Sequence, residues 1–196
     1  MICVALAVAA AVATAAPAGS DESRRTGSLS FRGMTYRPNV DAEFGGTGPY
    51  ETIFGTKRGW MFRGDYGFKI WEGIGALEAG IGVGFSTRTG KGIIDGTSPP
   101  QRSEDDTKFR ILPVTASLGY RFDWLARRYR IPLELHAKAS LERYHWWVSD
   151  AGGTGQKGAT NGYSFTAGAG FLLDFLDPGL AREMDRDSGV NDTWLV

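Results

Sequence analysis

The sequence predicts an all-β protein, a small antiparallel up-and-down β-barrel that crosses a membrane. Period-two segments recur along the chain, with apolar and polar residues on opposite faces. Glycine accounts for 28 of 196 residues and aromatic residues for 12%, a composition typical of all-β architectures. Several segments exceed the five or six residues of a usual strand and approach the roughly 9–11 residues of a tilted membrane strand.

The first eighteen residues, MICVALAVAAAVATAAPA, predict a secretory signal peptide (1–18), with 19–196 as one barrel domain. This segment is apolar and uncharged, and it ends in an A-x-A-like cleavage site. No Lys or Arg precedes its apolar core, which a start codon chosen too far downstream would explain. A single N-terminal membrane anchor is the alternative interpretation. The only cysteine, Cys3, lies within it, which suits export of the mature chain to an oxidising periplasm.

Six segments alternate in polarity, and a seventh begins near the end of the chain. They are 28–37, 58–70, 75–88, 108–124, 131–148 and 162–175, followed by 192–196. In the second segment, Trp60 and Phe62 belong to one face, while Arg63 and Asp65 belong to the other. Pro113 lies within the fourth segment and predicts a bulge or weak pairing.

The connections alternate in length, as in outer-membrane barrels with external loops and periplasmic turns at opposite ends. The long ones are 38–57, 89–107 and 149–161, and the short ones are 71–74 and 125–130. The last connection, 176–191, predicts a short helix on the periplasmic side. Its boundaries are Asp177 as N-cap, Pro178 in the first turn and Gly189 near the end.

Aromatic residues at the segment ends predict two girdles at the membrane interfaces. None of the six tryptophans lies in the middle of a segment, whereas a soluble sandwich more often buries a tryptophan there. The predicted girdle consists of Trp60, Trp71, Trp124, Trp147, Tyr163, Phe175 and Trp194. The apolar faces are therefore predicted to meet lipid.

The polar faces then predict a network of charges in the lumen. Its members are Arg63, Asp65, Lys69, Glu78, Arg121, Asp123, Glu134, His136, Lys138, Glu142 and Asp174. Side chains fill the interior of an eight-stranded barrel, and an unpaired buried charge is costly. We therefore expect cross-strand ion pairs and a plugged lumen without an open pore.

The fifth segment carries the candidate catalytic residues Glu134, His136, Ser140 and Glu142 on one face. Neighbours two positions apart on a strand are about 7 Å apart, too far for a Ser–His hydrogen bond of about 3 Å. We predict no enzymatic activity, no cofactor and no metal site. Equal numbers of acidic and basic residues, 22 each, also argue against a nucleic-acid partner.

Several blocks resemble an uncharacterised outer-membrane β-barrel family found mainly in myxobacteria and related Gram-negative bacteria. The blocks are DAEFGG (41–46), PYETIFG (49–55), RGWMFRGDY (58–66), YRFDW (120–124), RYHWWV (143–148), TNGYSF (160–165) and LLDFLDPGLAREMDRDSGVNDTWL (172–195). The resemblance implies about eight strands, of which the last one or two are expected to be missing from this chain. It implies no activity, ligand or catalytic residue.

The expected protein is thus an outer-membrane barrel of a Gram-negative envelope with a structural or surface-interaction role. Its expected partners are outer-membrane lipid and the outer-membrane assembly machinery. Two alternatives stay open: an outer-membrane hydrolase acting on lipid or peptide, and a soluble periplasmic barrel that carries a hydrophobic ligand.

Overall fold

The protein is one sheet of antiparallel strands joined in sequence order. The computed structural model describes residues 6–12, 26–43, 48–94, 101–150 and 155–196. The up-and-down strands are β2 (Gly27–Tyr36), β3 (Gly59–Glu72), β4 (Ala76–Ile93), β5 (Arg102–Phe122), β6 (Leu133–Ser149), β7 (Gln156–Leu172) and β8 (Val190–Leu195). They coincide with the seven alternating segments, so the predicted all-β, up-and-down arrangement is confirmed.

Short helices connect some of the strands. In the described ranges they are α1 (Pro49–Phe54), α2 (Trp124–Tyr129) and α3 (Pro178–Ser188), with 3₁₀ turns at Val40–Glu43 and Leu173–Phe175. The predicted C-terminal helix is confirmed as α3: Asp177 accepts hydrogen bonds from the N–H groups of Gly179 and Leu180. Gly189 ends α3 with a φ of 68°. None of the described helices is long and apolar enough to span a membrane.

Four predicted connections are wrong in length or content, and the first of them, 38–57, contains α1 and a 3₁₀ turn. β4 and β5 continue into the predicted loop 89–107, where Lys91 pairs with Asp106, and β7 begins within 149–161. These strand ends are polar on both faces, so apolar alternation does not reveal them. The predicted turn 125–130 is largely the helix α2, because WLARRY holds no glycine or proline that would prevent a helical turn.

Pro113 interrupts the ladder between β4 and β5. Pairing follows one register to Val83↔Val114 and resumes in the same register at Ser86↔Ile111. Proline has no N–H group to donate to a neighbouring strand. The predicted weak pairing is therefore confirmed, and the strand passes this point without the alternative bulge.

The weakest strand pairing in the described part of the sheet, which we call the seam, lies between β7 and β8. A further strand, β1 (Leu6–Val12), pairs with β2 on one side and with β8 on the other. β8 pairs with β7 through Phe171↔Leu195 and Leu172↔Trp194, whereas β6 pairs with β7 along its length. In the described part of the chain, most of β7 thus has a strand neighbour on one side only. The predicted signal peptide, 1–18, includes β1 and otherwise lies outside the described residues; its cleavage stays a prediction.

Contacts between distant strands show that the sheet curls around an interior. Arg63 on β3 approaches Glu142 on β6 to 2.7 Å, although β4 and β5 lie between them. In a flat sheet, three strand spacings would separate such residues by about 14 Å. At the end where β2 leads into α1, which we call the mouth, the interior holds a cluster of Tyr50, Met61, Phe109 and Ile111.

Candidate functional site

The polarity of this sheet is inverted relative to a soluble protein. The side chains of Trp60 and Phe62 are each 63% exposed on the outer face. On the inner face of the same strand, Arg63 is 9% exposed and Asp65 is 4% exposed. Strand alternation sends neighbouring side chains to opposite faces. The charged residues are therefore the interior, and the aromatic residues are the surface.

The residues of the predicted girdle fall into two groups. Most lie on the outer surface: Trp60, Trp71, Trp124, Tyr163 and Phe175 are exposed, and Trp147 is half-buried. Trp194 is a correction, because it is only 2% exposed. It shares a face of β8 with the buried Asp192, so strand alternation directs it away from the outer surface.

The cluster closest to the mouth is centred on Glu142, whose side chain is 1% exposed. Its carboxylate pairs with Arg63 at 2.7 Å and accepts hydrogen bonds from the hydroxyl groups of Ser164, at 2.9 Å, and Tyr144. Arg63 donates a second hydrogen bond to Thr115. The side chains thus join four strands, β3, β5, β6 and β7, across the interior.

The next cluster is centred on Asp65, which is held between two cations. Its carboxylate lies 2.6 Å from Arg32 on β2 and 3.1 Å from Lys138 on β6. The side chain of Asp65 is 3% exposed, whereas those of Arg32 and Lys138 are 13% and 21% exposed. This cluster therefore crosses the interior in the same way, with the acid at its centre.

A third cluster lies further from the mouth. Arg121 approaches Glu78 at 3.2 Å and Glu134 at 3.5 Å, and Ser28 donates a hydrogen bond to Glu78 at 2.7 Å. His136 Nδ1 lies 3.5 Å from Glu134. The cluster borders a cavity of about 100 Å³ whose lining includes Arg121, Glu134 and His136, enough volume for a few water molecules.

Glycines on the inner face make room for these charged side chains. A Cβ atom built on Gly82 would come within 2.4 Å of Asp65 Oδ1, and one on Gly170 within 2.7 Å of Glu134 Cγ. Real side chains do not approach so closely, so any larger residue would displace the acid. The glycine-rich runs of β4 and β7 thus leave the space that the charged side chains of β3 and β6 occupy.

Three residues of the predicted lumen network lie apart from these clusters. Lys69 pairs with Glu72, which also contacts Arg127, at the end opposite the mouth. Asp123 precedes α2 and pairs with Arg127 at 2.5 Å. Asp174, in a 3₁₀ turn, accepts a hydrogen bond from the N–H group of Thr193. Each lies where its strand has ended or is ending, so the local turn determines its partner.

The interior also contains partners that sequence patterning misses. They are Ser28, Arg32, Thr115, Tyr144 and Ser164. Arg32 lies in the segment with the least regular alternation, and the other four are neutral residues with no charge to mark them. For Thr115, Tyr144 and Ser164 the available signal was parity, because each shares the parity of a predicted network residue in its own segment. The segment of β2, with Ser28 and Arg32, contains no predicted network residue.

The mouth is covered by the connection between β2 and β3. Asp41 accepts hydrogen bonds from the N–H groups of Tyr50 and Glu51, both at 2.9 Å, and so caps α1 from a distance along the chain. Tyr50 then packs against Phe54 and Phe109, with ring centroids 5.0 and 5.6 Å away. Burial raises the pKa of the Tyr50 hydroxyl, an effect that the guanidinium of Arg88 opposes in part.

The described residues offer little for covalent catalysis or metal binding. His136 approaches Glu134, a residue of its own strand, and Ser140 lies four positions further along that strand. Ser164, on β7, donates to Glu142. Among the described residues no group of three or more His, Cys, Asp or Glu side chains could hold a metal ion.

The geometry favours a packed interior with paired charges and an aromatic outer surface. Its chemistry is electrostatic: opposite charges from different strands hold the sheet in its curled form. The resemblance to a family of outer-membrane barrels stays a prediction. Comparison of the chain with protein-family models, with characterised proteins and with solved structures found no match.

Proposed function

We propose that the chain is a closed transmembrane β-barrel of a Gram-negative outer membrane, with a structural or surface-interaction role and a lumen filled by paired charges. The single observation that carries the proposal is the inverted polarity of the sheet. Leu141, Tyr163 and Phe165 are 72%, 76% and 78% exposed. A continuous apolar surface of this kind is costly in water and favourable in hydrocarbon.

The backbone supports the same proposal. Spanning a membrane with strands requires that backbone groups be paired within the sheet. Strands β2 to β8 pair in order without a crossover, and β1, which lies within the predicted signal peptide 1–18, pairs with both β2 and β8. Closure through β1 therefore requires that this segment stays in the mature chain. In the described residues, β7 meets the pairing requirement on its second side only at Phe171 and Leu172, where it pairs with β8.

The filled interior supports a role without conduction. Arg63, Asp65 and Glu142 lie across the interior in ion pairs with little exposure, and α1 packs over the mouth. An ion passing through would have to displace these pairs. We therefore expect a barrel that presents loops and an outer surface, with no activity of its own.

Membrane fractionation tests this proposal. Full-length protein expressed with its own N-terminus in a Gram-negative host should stay in the outer-membrane fraction after high-salt and urea washes and leave it only with detergent. Release by salt alone would contradict the membrane assignment and favour the soluble, ligand-carrying barrel. In planar bilayers the reconstituted protein should give no large steady conductance, whereas a stable open level would contradict the filled lumen.

Hydrolysis is the second function that the same preparation can test. Purified protein in detergent should leave lipid A and short peptides intact. A hydrolytic activity that His136→Ala abolishes, and that His145→Ala leaves unchanged, would overturn the non-enzymatic proposal. His145 is the matched control because it is the other histidine of the chain and lies exposed on the outer face of β6.

A further inference from the structure

An aromatic cleft of about 430 Å³ opens at the mouth. Its lining includes Tyr36 at the end of β2 and Phe109, Tyr144 and Trp146 of β5 and β6. Thr160 of β7 completes it on the side of the seam. A volume of about 300–1,000 Å³ with mainly apolar walls is typical of sites for small molecules.

The lining of this cleft differs in charge from the rest of the interior. No Asp, Glu, Lys, Arg or His is among its lining residues in the described part of the chain. The nearest buried charges, Arg63 and Glu142, are already paired with each other at 2.7 Å. The guanidinium of Arg143, which contacts the lining from outside, already donates to Asn161 at 3.2 Å. An ion entering the cleft would therefore lose water and find no charged group among the lining residues themselves, which is unfavourable.

The aromatic rings of the lining pack against one another. Tyr36 and Tyr144 stack with centroids 6.4 Å apart and planes 9° apart, and Phe109 and Trp146 are 6.5 Å apart. Ring faces and edges of this kind pack favourably against another planar apolar group. The polar groups of the lining are few, and Asn161 already accepts a hydrogen bond from Arg143.

We propose that this cleft binds a small, neutral, planar molecule that is mainly apolar and carries one or two hydroxyl or carbonyl groups, such as a phenol or a naphthol. The side chains of Thr160 and Asn39 supply hydrogen-bonding groups at its rim. A sugar ring is the less suitable ligand, because its many hydroxyl groups would be left without partners in this lining. The site depends on the described side chains and not on whether the outer face meets lipid.

The cleft lies at the weak seam of the sheet. Thr160 belongs to the part of β7 that, in the described residues, pairs with β6 alone. The chain that follows β2, including Asn39, faces it across the opening. The ligand therefore reaches the aromatic walls without displacing a paired strand, and residues at this opening can block entry.

Titration of the full chain with 2-naphthol, in detergent micelles and followed by calorimetry, tests the proposal. Thr160→Trp should fill the cleft and weaken binding about tenfold or more. Ala159→Trp is the matched control, because it adds the same ring one position away on the outer face and should leave binding unchanged. Asn39→Trp blocks the opening from the loop and should act like Thr160→Trp, so the test does not depend on one variant folding.

Two further probes decide the class of ligand. Naphthalene-2-sulfonate, which adds a negative charge to the same ring, should bind at least about tenfold more weakly than 2-naphthol. Methyl glucoside should not compete with 2-naphthol. Equal binding of 2-naphthol by Thr160→Trp and Ala159→Trp would show that the probe dissolves in the micelle. Equal binding of the sulfonate and 2-naphthol would refute a site for neutral molecules. Competition by the glucoside would show that the cleft binds sugars.

Discussion

Two parts of the interior are stabilised in different ways: the charged level, which holds the ion pairs, and the apolar level, which is the cluster at the mouth. Below the mouth, charged side chains from separate strands pair across the interior, as Arg63 and Glu142 do at 2.7 Å. At the mouth itself, Met61 and Phe109 belong to an apolar cluster with α1. Apolar contacts tolerate approximate geometry, whereas buried charges are stable only with the right partner. The charged level therefore specifies how the sheet curls, whereas the apolar level stabilises the mouth by burying apolar side chains.

The largest expected effect comes from breaking the pair that crosses the interior. Glu142→Ala leaves Arg63 buried without its carboxylate and should lower the free energy of unfolding by about 3–5 kcal/mol. Urea unfolding in lipid vesicles, followed by tryptophan fluorescence, measures the loss. Glu183→Ala, on the exposed surface of α3, is the matched control and should change little.

The double variant Arg63→Met/Glu142→Leu separates what the Arg63–Glu142 ion pair contributes to specificity from what it contributes to the stability of the fold. Replacing both partners by apolar residues of similar size should recover most of the stability lost in Glu142→Ala, because no charge is then left unpaired. If the double variant is as unstable as the single one, the interior depends on the pair itself and the comparison between the two levels fails.

A substitution in the apolar level should lower the free energy of unfolding less than Glu142→Ala does. Met61→Ala removes a side chain that is 1% exposed and should cost about 2–3 kcal/mol, the lower part of the range for buried methionine. α1 covers the cluster and can settle into part of the cavity. The same urea titration measures this loss. A larger loss than that of Glu142→Ala would reverse the order of the two levels.

Sequence patterning predicts the sheet well because its signal is local. The alternation of Trp60, Phe62 and Phe68 with Arg63 and Asp65 indicates both the strand and its two faces. The side of each charged residue is therefore readable, but its partner is not. Pairing of Arg63 with Glu142 depends on the curl of the sheet and on the register of four strands, which are properties of the assembled fold.

The errors have the same physical origin. Trp194 lies in a short strand whose alternation is too brief to assign a face, and the structure buries it. The α1 helix over the mouth depends on Asp41, which caps it from several residues away, whereas sequence rules look for a cap next to the helix. Polar strand ends, and helix caps supplied from several residues away, thus cannot be predicted from neighbouring residues alone.

Removing the cap of α1 should have a smaller effect than either interior change. Asp41→Ala removes the acceptor for two N–H groups and should cost about 1 kcal/mol. The variant should also weaken the packing of Tyr50, which hydrogen exchange at the N–H groups of α1 can follow. Asp177→Ala removes the cap of α3 at a similar cost and should leave exchange in α1 unchanged. Equal protection of the α1 N–H groups from exchange in both variants would show that Asp41 does not stabilise α1 over the mouth.

The smallest effect is expected for an ion pair in water. Asp187 and Arg186 lie 3.4 Å apart with 68% and 82% of their side chains exposed. Asp187→Ala should change the free energy of unfolding by well under about 1 kcal/mol, measured by the same titration. A loss comparable to that of Glu142→Ala would mean that burial is not what distinguishes the interior pairs.

The proposed membrane barrel depends above all on contact between lipid and the exposed aromatic and aliphatic face of the sheet. Spin labels on single cysteines at Leu135, Ala137, Ala139 and Leu141 of β6, with Cys3 replaced by Ser, test it most directly in lipid vesicles. Oxygen should reach these labels far more than a water-soluble nickel chelate does, because oxygen concentrates in hydrocarbon. Labels that the nickel chelate reaches freely at these positions would place the face in water and refute its contact with lipid.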